Sequence, residues 1–144
     1  MRQIRADLHI HTLLSPCGSL EMTPREIIAR AKARGLDMIA ISDHNSTLHC
    51  ELTVALGAKA GITVLRAAEV TSAEDVHSLV ILPDEAARAS FQQWLDSRSE
   101  KIPHNPDIFG DQVVIDENEN IIAEIKYFLT AALKASIDEV EAAA

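Results

Sequence analysis

Three short apolar runs, at residues 4–10, 38–42 and 62–68, recur at spacings that leave room for one helix between each pair. The second, Met38-Ile39-Ala40-Ile41-Ser42, is continuous in the way expected of a strand buried on both faces. Before it, Thr23-Pro24-Arg25-Glu26 opens a helix: Thr23 can cap, Pro24 suits the first helical position and Glu26 completes a capping box. Ile27, Ile28 and Ala31 continue that helix, and Gly35 ends it. A second helix is expected over residues 48–60, closed by Gly61. Strand, helix, strand, helix, strand is the order of right-handed βαβ units on a parallel sheet, an α/β fold.

The polar residues fall where such a sheet builds its sites, at the carboxyl ends of the strands. Asp7-Leu8-His9-Ile10-His11 closes the first run. Side chains alternate along a strand, so His9 and His11 face the same side. Two imidazoles projecting together can grip one divalent cation or two neighbouring ones. Asp43-His44-Asn45 follows the second run and Glu69 the third. Polar clusters at three successive strand ends mark a site.

A fourth strand is expected at residues 76–82, and it begins too soon after Glu69 for a helical crossover. Either it folds back as a hairpin or the third strand bends and continues; both routes keep His77 near Glu69. Pro83 leads a helix over residues 84–98 with Ala87, Phe91, Trp94 and Leu95 on one core-forming face. Residues 99–110 read as a loop, and 111–115 with 120–123 as a hairpin around Asp116-Glu117-Asn118-Glu119. That turn lacks calcium-loop spacing and glycine, so it reads as solvated. Residues 125–133 are expected to be helical. Ser136-Ile137-Asp138-Glu139 is a second capping box, starting a helix close to the last residue, as in a chain cut from something longer.

Composition narrows the function classes. No apolar block among the 144 residues is long enough to cross a bilayer, and the first residues lack the apolar segment of a signal peptide. A soluble, cytoplasmic protein with no membrane partner is expected. The net charge of −9 argues against stable nucleic-acid binding, which needs a basic stripe. An anionic substrate stays open, because bound divalent cations reverse the sign inside one cleft. Cys17 and Cys50 form no CxxC pair and are read as free thiols. Neither a Gly-rich phosphate loop nor a nucleophilic serine motif is present.

Asp7-Leu8-His9-Ile10-His11-Thr12, Ile41-Ser42-Asp43-His44-Asn45, Ala68-Glu69-Val70 and the later His77 together resemble the PHP (polymerase and histidinol phosphatase) domain family. The likeness is strongest over residues 1–82 and continues more weakly to Asp138-Glu139-Val140, as in small stand-alone PHP phosphoesterases. It implies a distorted seven-stranded (β/α) barrel with two or three divalent ions, Zn, Mn or Fe, and hydrolysis of a small phosphorylated substrate by a metal-activated hydroxide. It makes His9 and His11 ligands of one metal, Glu69 a bridging ligand, and His44 and His77 ligands of neighbouring ions. Catalysis would rest on Asp43, His44 and Glu69, with Asp43 orienting a histidine. Cys17 stands about where the family has an Asp or His ligand, and is either a ligand or a buried spectator. His49 and His104 match no motif and are read as surface or structural.

A full barrel of this kind needs about 200–250 residues. The family's later histidine and closing Asp-x-His pair have no counterpart here; His104 is the last histidine. Residues 1–144 are therefore expected to form one truncated PHP domain, an incomplete barrel holding fewer ions. Its open sheet edge and apolar helix faces call for self-association or a second chain. Two other readings compete with an impaired phosphoesterase: a non-catalytic metal-binding or assembly module, and an amidohydrolase-type hydrolase. The amidohydrolase type shares the His-x-His after the first strand but does not predict Asp43-His44.

Overall fold

The structure, a computed structural model, describes residues 3–144. The reading of the N-terminus as leaderless includes Met1 and Arg2, which lie outside the described residues. Strands β1 (Ala6–Ile10), β2 (Met38–Ile41) and β3 (Thr63–Thr71) run parallel, joined by helices α1 (Pro24–Ala33) and α2 (Cys50–Ala60). Strand β4 (His77–Leu82) pairs antiparallel with β3, so the sheet order is β1-β2-β3-β4. The hairpin alternative is therefore the one adopted. Glu69 does not end β3; the strand runs two residues further, to Thr71, pairing with His77.

Local chemistry sets the helix ends. Thr23 accepts a hydrogen bond from the Glu26 backbone N–H. The capping box is only half made, because the Glu26 carboxylate turns to Arg30 one turn on, at 2.6 Å. Past the last turn of α1, Leu36 N–H donates to Ala31 O and Gly35 N–H to Lys32 O, with Gly35 at φ 68°. This is the paired C-terminal closure that favours glycine.

The helices pack on one face of the sheet. Ile27, Ile28 and Ala31 of α1 meet Ile39 and Ile41 of β2 and Val64 of β3 in one apolar cluster. Helix α3 (Glu85–Arg98) sets Phe91 and Leu95 against Val70, Val80 and Leu82, joined by Val140 of α5 (Ile137–Ala143). On the other face of β4, Leu79 and Ile81 stay 44% and 47% exposed.

The last third departs most from expectation. A short helix, α4 (Pro106–Phe109), interrupts the loop; strands β5 (Val113–Ile115) and β6 (Ile121–Glu124) form the expected hairpin. Residues 125–133 are not helical. Their backbone groups are claimed by buried side chains from elsewhere. Gln112 donates to Ile125 O and Tyr127 O and accepts from Leu129 N–H, while Asn45 donates to Leu129 O and Ala131 O. Tertiary hydrogen bonds thus replace the helical ladder. The final helix, with its full Ser136–Glu139 capping box, forms as read. No helix among the described residues is long and apolar enough to cross a membrane.

Gly57 is the contact point of α2 with β3: an added Cβ would overlap Val64 Cγ2 and stand 2.9 Å from Ile62 O. Gly57→Ala should lower stability by about 1–3 kcal/mol through overpacking. In urea unfolding this appears as a lower midpoint at unchanged slope; an unchanged midpoint would show that the helix can slide away.

Candidate metal centre

The ends of β1 and β2 are tied together by one buried carboxylate. Asp43, 1% exposed, accepts from Thr12 N–H (2.7 Å) and Ser15 Oγ (2.7 Å) at Oδ1, and from Thr12 Oγ1 (2.8 Å) at Oδ2. Asp43 therefore orients the loop after His11, and its hydrogen bonds reach no histidine of the cluster. That differs from the expected role, because the loop residues Thr12 and Ser15 supply all three of its donors.

The threonine carries the network inward. Thr12 Oγ1 gives its proton to Asp43, so it accepts from His49 Nδ1–H at 2.7 Å. His49 Nε2 in turn accepts from Ile115 N–H at 3.0 Å, which fixes the tautomer. His49 is fully buried, and burial lowers its pKa against the opposing pull of Asp43. His49 is structural, and it locks the β5–β6 hairpin to the loop after His11. Neither Thr12 nor Ser15 was singled out from sequence; the available signal was the position of Thr12 directly after His11.

Glu69 is held from the other side. After β2 ends, the chain makes one more parallel bridge, His44 to Glu69. Asn45 N–H donates to Glu69 O at 2.9 Å and Glu69 N–H to Asp43 O at 3.1 Å. Asn45 sits at φ 45°, a region that asparagine tolerates, and its side chain accepts from Thr71 N–H. At the end of β1 the register shifts between Asp7 and Ile10, a bulge of the kind that re-aims side chains beside sites.

Four imidazoles converge on the Glu69 carboxylate. His9 Nε2 lies 3.1 Å, His11 Nε2 3.0 Å and His44 Nδ1 3.4 Å from Oε2, and His77 Nδ1 lies 2.9 Å from Oε1. The Nε2 atoms of His9 and His11 stand 2.9 Å apart. Ligands about 2.0–2.2 Å from one cation stand about 3.0 Å apart at right angles and about 3.4 Å at tetrahedral angles. The observed separations are the edges of such polyhedra. His44 Nδ1 is buried and has no hydrogen-bond partner, an orphan that a cation would satisfy. Donors and spacing both fit divalent metal ions. Three groups offer themselves: His9, His11 and Glu69; His44, Glu69 and His77; and His11, Cys17 and His44.

Electrostatics keeps the imidazoles ready to ligate. Burial, reinforced by the neighbouring His11, pushes the His44 pKa down to about 4. Burial also lowers His11, against the pull of Asp43 and Glu69. Burial pushes Glu69 up, but the hydrogen bonds from His77 and His9 and the nearby His44 and His11 outweigh it, holding the carboxyl below its usual range. Burial pushes the Cys17 thiol up. His104 stands apart from the cluster, donating to Gly110 O at 2.6 Å and stacking on Phe128. His9 and His77 stand on the open side of the cluster, 48% and 43% exposed, while His44 and Glu69 are buried beneath them.

A parallel-rich α/β sheet whose strand ends gather four histidines around one carboxylate defines a metal-binding domain. The sequence profile of the PHP domain matches residues 7–140, and the chain belongs to that family. An uncharacterized protein of Methanocaldococcus jannaschii is 35% identical over 80 residues, 49% of this chain and 46% of that protein. The crystal structure of a Bifidobacterium adolescentis protein assigned as a metal-dependent phosphoesterase aligns with a TM-score of 0.56 at 27% identity, covering 67% of this chain and 34% of that one. An amidohydrolase of Chromobacterium violaceum, solved with sulfate and no metal, aligns at 30% identity and a TM-score of 0.48 over 62% of this chain and 32% of that one. The chain thus spans between a third and a half of the length of these proteins.

Thr12→Val strands His49 Nδ1–H, one oxygen of Asp43 and the Leu14 N–H that donates to the Thr12 hydroxyl, costing about 1–3 kcal/mol for each stranded group. Thr12→Ser should restore most of the loss in chemical denaturation; equal stability of wild type and the valine variant would remove Thr12 from the network. His49 is held neutral in the fold, and the unfolded chain takes up its proton below about pH 6.5. Its share of stability is present above that pH and is lost as pH falls through the lowered folded value. His49→Gln should flatten the pH dependence of stability below about 6.5 relative to wild type; parallel curves would refute the assignment.

Proposed function

We propose that this chain is part of a metal-dependent phosphoesterase, folding as the N-terminal portion of a PHP barrel and carrying most of its divalent-metal centre. The observation that carries this reading is the convergence of His9, His11 and His44 on one oxygen of Glu69, with His77 on the other. His9, His11 and Glu69 would hold one ion; Glu69, His44 and His77 would hold a second, with the carboxylate shared. Nitrogen and carboxylate donors suit Zn, Mn or Fe. When bound, such ions activate water as a nucleophile and neutralise charge developing on a phosphate. The chain's own residues position and tune. Glu69 and the lowered imidazoles stay free of protons at neutral pH, and Asp43 acts through Thr12 and Ser15 on the loop that carries His11. His9 and His77, with side chains 48% and 43% exposed, border the open side from which a small phosphate ester would enter.

Both outer strands of the sheet, β1 and β4, lack a partner on one side among the described residues, and the Leu79–Ile81 face is bare. An incomplete barrel with these edges needs further strands to cover them. A second reading, metal binding without turnover by this chain alone, is favoured by its short span against the relatives.

Metal content by elemental mass spectrometry after loading with Mn or Zn, together with hydrolysis of an aryl phosphate, tests the proposal. At least one ion per chain is expected, with affinity falling roughly tenfold or more in Glu69→Gln, and turnover that follows the metal. Bound metal with no turnover selects the second reading. No bound metal overturns both. The edges predict self-association in sedimentation and binding of an apolar dye; a monodisperse monomer that binds no dye would refute the incomplete barrel.

A further inference from the structure

We infer that Thr71 is a positioning residue for the ion shared by His44, Glu69 and His77, holding the His77 ring by its outer nitrogen and letting the ring change tautomer as it ligates. The inference rests on the metal-centre reading above and adds to it a residue that touches no ion. The β3–β4 pairing sets the geometry. Glu69 and Thr71 are two residues apart on β3, so their side chains share a face. His77 stands directly opposite Thr71 in the antiparallel register and projects from that same face. Its ring spans the pair: Nδ1 lies 2.9 Å from Glu69 Oε1, and Nε2 lies 3.5 Å from Thr71 Oγ1.

Thr71 is a fixed post. It is 1% exposed, its N–H donates to Asn45 Oδ1 at 3.0 Å, and its carbonyl accepts from Leu133 N–H at 2.9 Å. The loop after β2, the segment before α5 and the pairing with β4 thus hold one residue. His77 is the opposite case, the first residue of β4 with a half-exposed side chain. A half-exposed ring loses rotational freedom when it ligates, and a hydrogen bond at its outer nitrogen takes up part of that loss beforehand. The hydroxyl gives the ring a second anchor on the strand that already carries Glu69.

Proton placement explains why the anchor is a hydroxyl. A neutral imidazole carries one proton, and a carboxylate only accepts. Without metal, Nδ1 therefore carries the proton toward Glu69, and Nε2 accepts from the Thr71 O–H. For Nδ1 to ligate, its lone pair must be bare. The Nδ1 proton then goes to solvent, Nε2 takes one up from solvent, and Thr71 Oγ1 turns from donor to acceptor. The ring is neutral before and after. A hydroxyl serves both tautomers, whereas a carbonyl oxygen only accepts and an ammonium only donates.

Zinc is the probe. In wild-type protein labelled with nitrogen-15 histidine, long-range proton–nitrogen NMR should place the His77 proton on Nδ1 without metal and on Nε2 after saturation with zinc. Thr71→Val leaves both backbone hydrogen bonds available and suits a strand. It should weaken zinc binding read at the His77 signals by roughly tenfold or more, and Thr71→Ser should recover most of that affinity. Circular dichroism of the three proteins should be the same. Equal zinc affinity at His77 in wild type and Thr71→Val, a serine variant as weak as the valine one, or a His77 proton that stays on one nitrogen would each overturn the inference and leave the metal-centre reading standing. The wild-type spectra decide the matter even where Thr71→Val fails to fold. No zinc bound by the wild type would overturn both.

Discussion

The fold's functional end depends on a buried carboxylate with three hydrogen bonds. An ionised group out of contact with water is costly unless its lone pairs are satisfied. Asp43 is satisfied entirely by the loop that follows β1, through Thr12 and Ser15. The loop after His11 therefore cannot drift without stranding a charge. Because Asp43 also lends its carbonyl to Glu69 N–H, the same residue registers β3 against β2. One aspartate at a strand end thus sets the spacing of His11, His44 and Glu69.

That arrangement concentrates like groups. Four imidazoles around one carboxylate would repel one another if protonated, and burial opposes the charging of His11 and His44. The single negative charge of Glu69 cannot satisfy four donors at once, which is why His44 Nδ1 is left orphaned. A cation would resolve both difficulties: with their protons on the outer ring nitrogens, the imidazoles would turn lone pairs to it, and it would balance the carboxylate.

The legible part of this architecture is the part written in consecutive residues. The βαβ rhythm and the histidines at strand ends follow from local periodicity and from chemistry at known spacing, and the structure brings His9, His11, His44 and His77 together at Glu69. The half-made box at Glu26 was not legible, since Arg30 competes for the same carboxylate. Nor was the non-helical course of residues 125–133, where Gln112 and Asn45 reach in from distant elements to claim its backbone. His49 offered no motif, because its meaning lies in Thr12 and Ile115, far apart in the chain and joined only by folding. Long-range polar satisfaction carries little periodicity, so sequence patterns miss it.

The division between the two faces of the sheet also separates two tasks. The helix face is closed by the clusters around Ile39 and Phe91. The donors of His9, His44, Glu69 and His77 stand on or directly after these packed strands, so the cluster is assembled within this part of the fold. Orienting a substrate is different. It requires walls around the open side where His9 and His77 stand half-exposed. The donor cluster and the surroundings a substrate would need are accordingly separate features of this fold: the first is set by bonds within the β1–β4 sheet, the second by whatever covers the bare face of β4 and the open edges of the sheet.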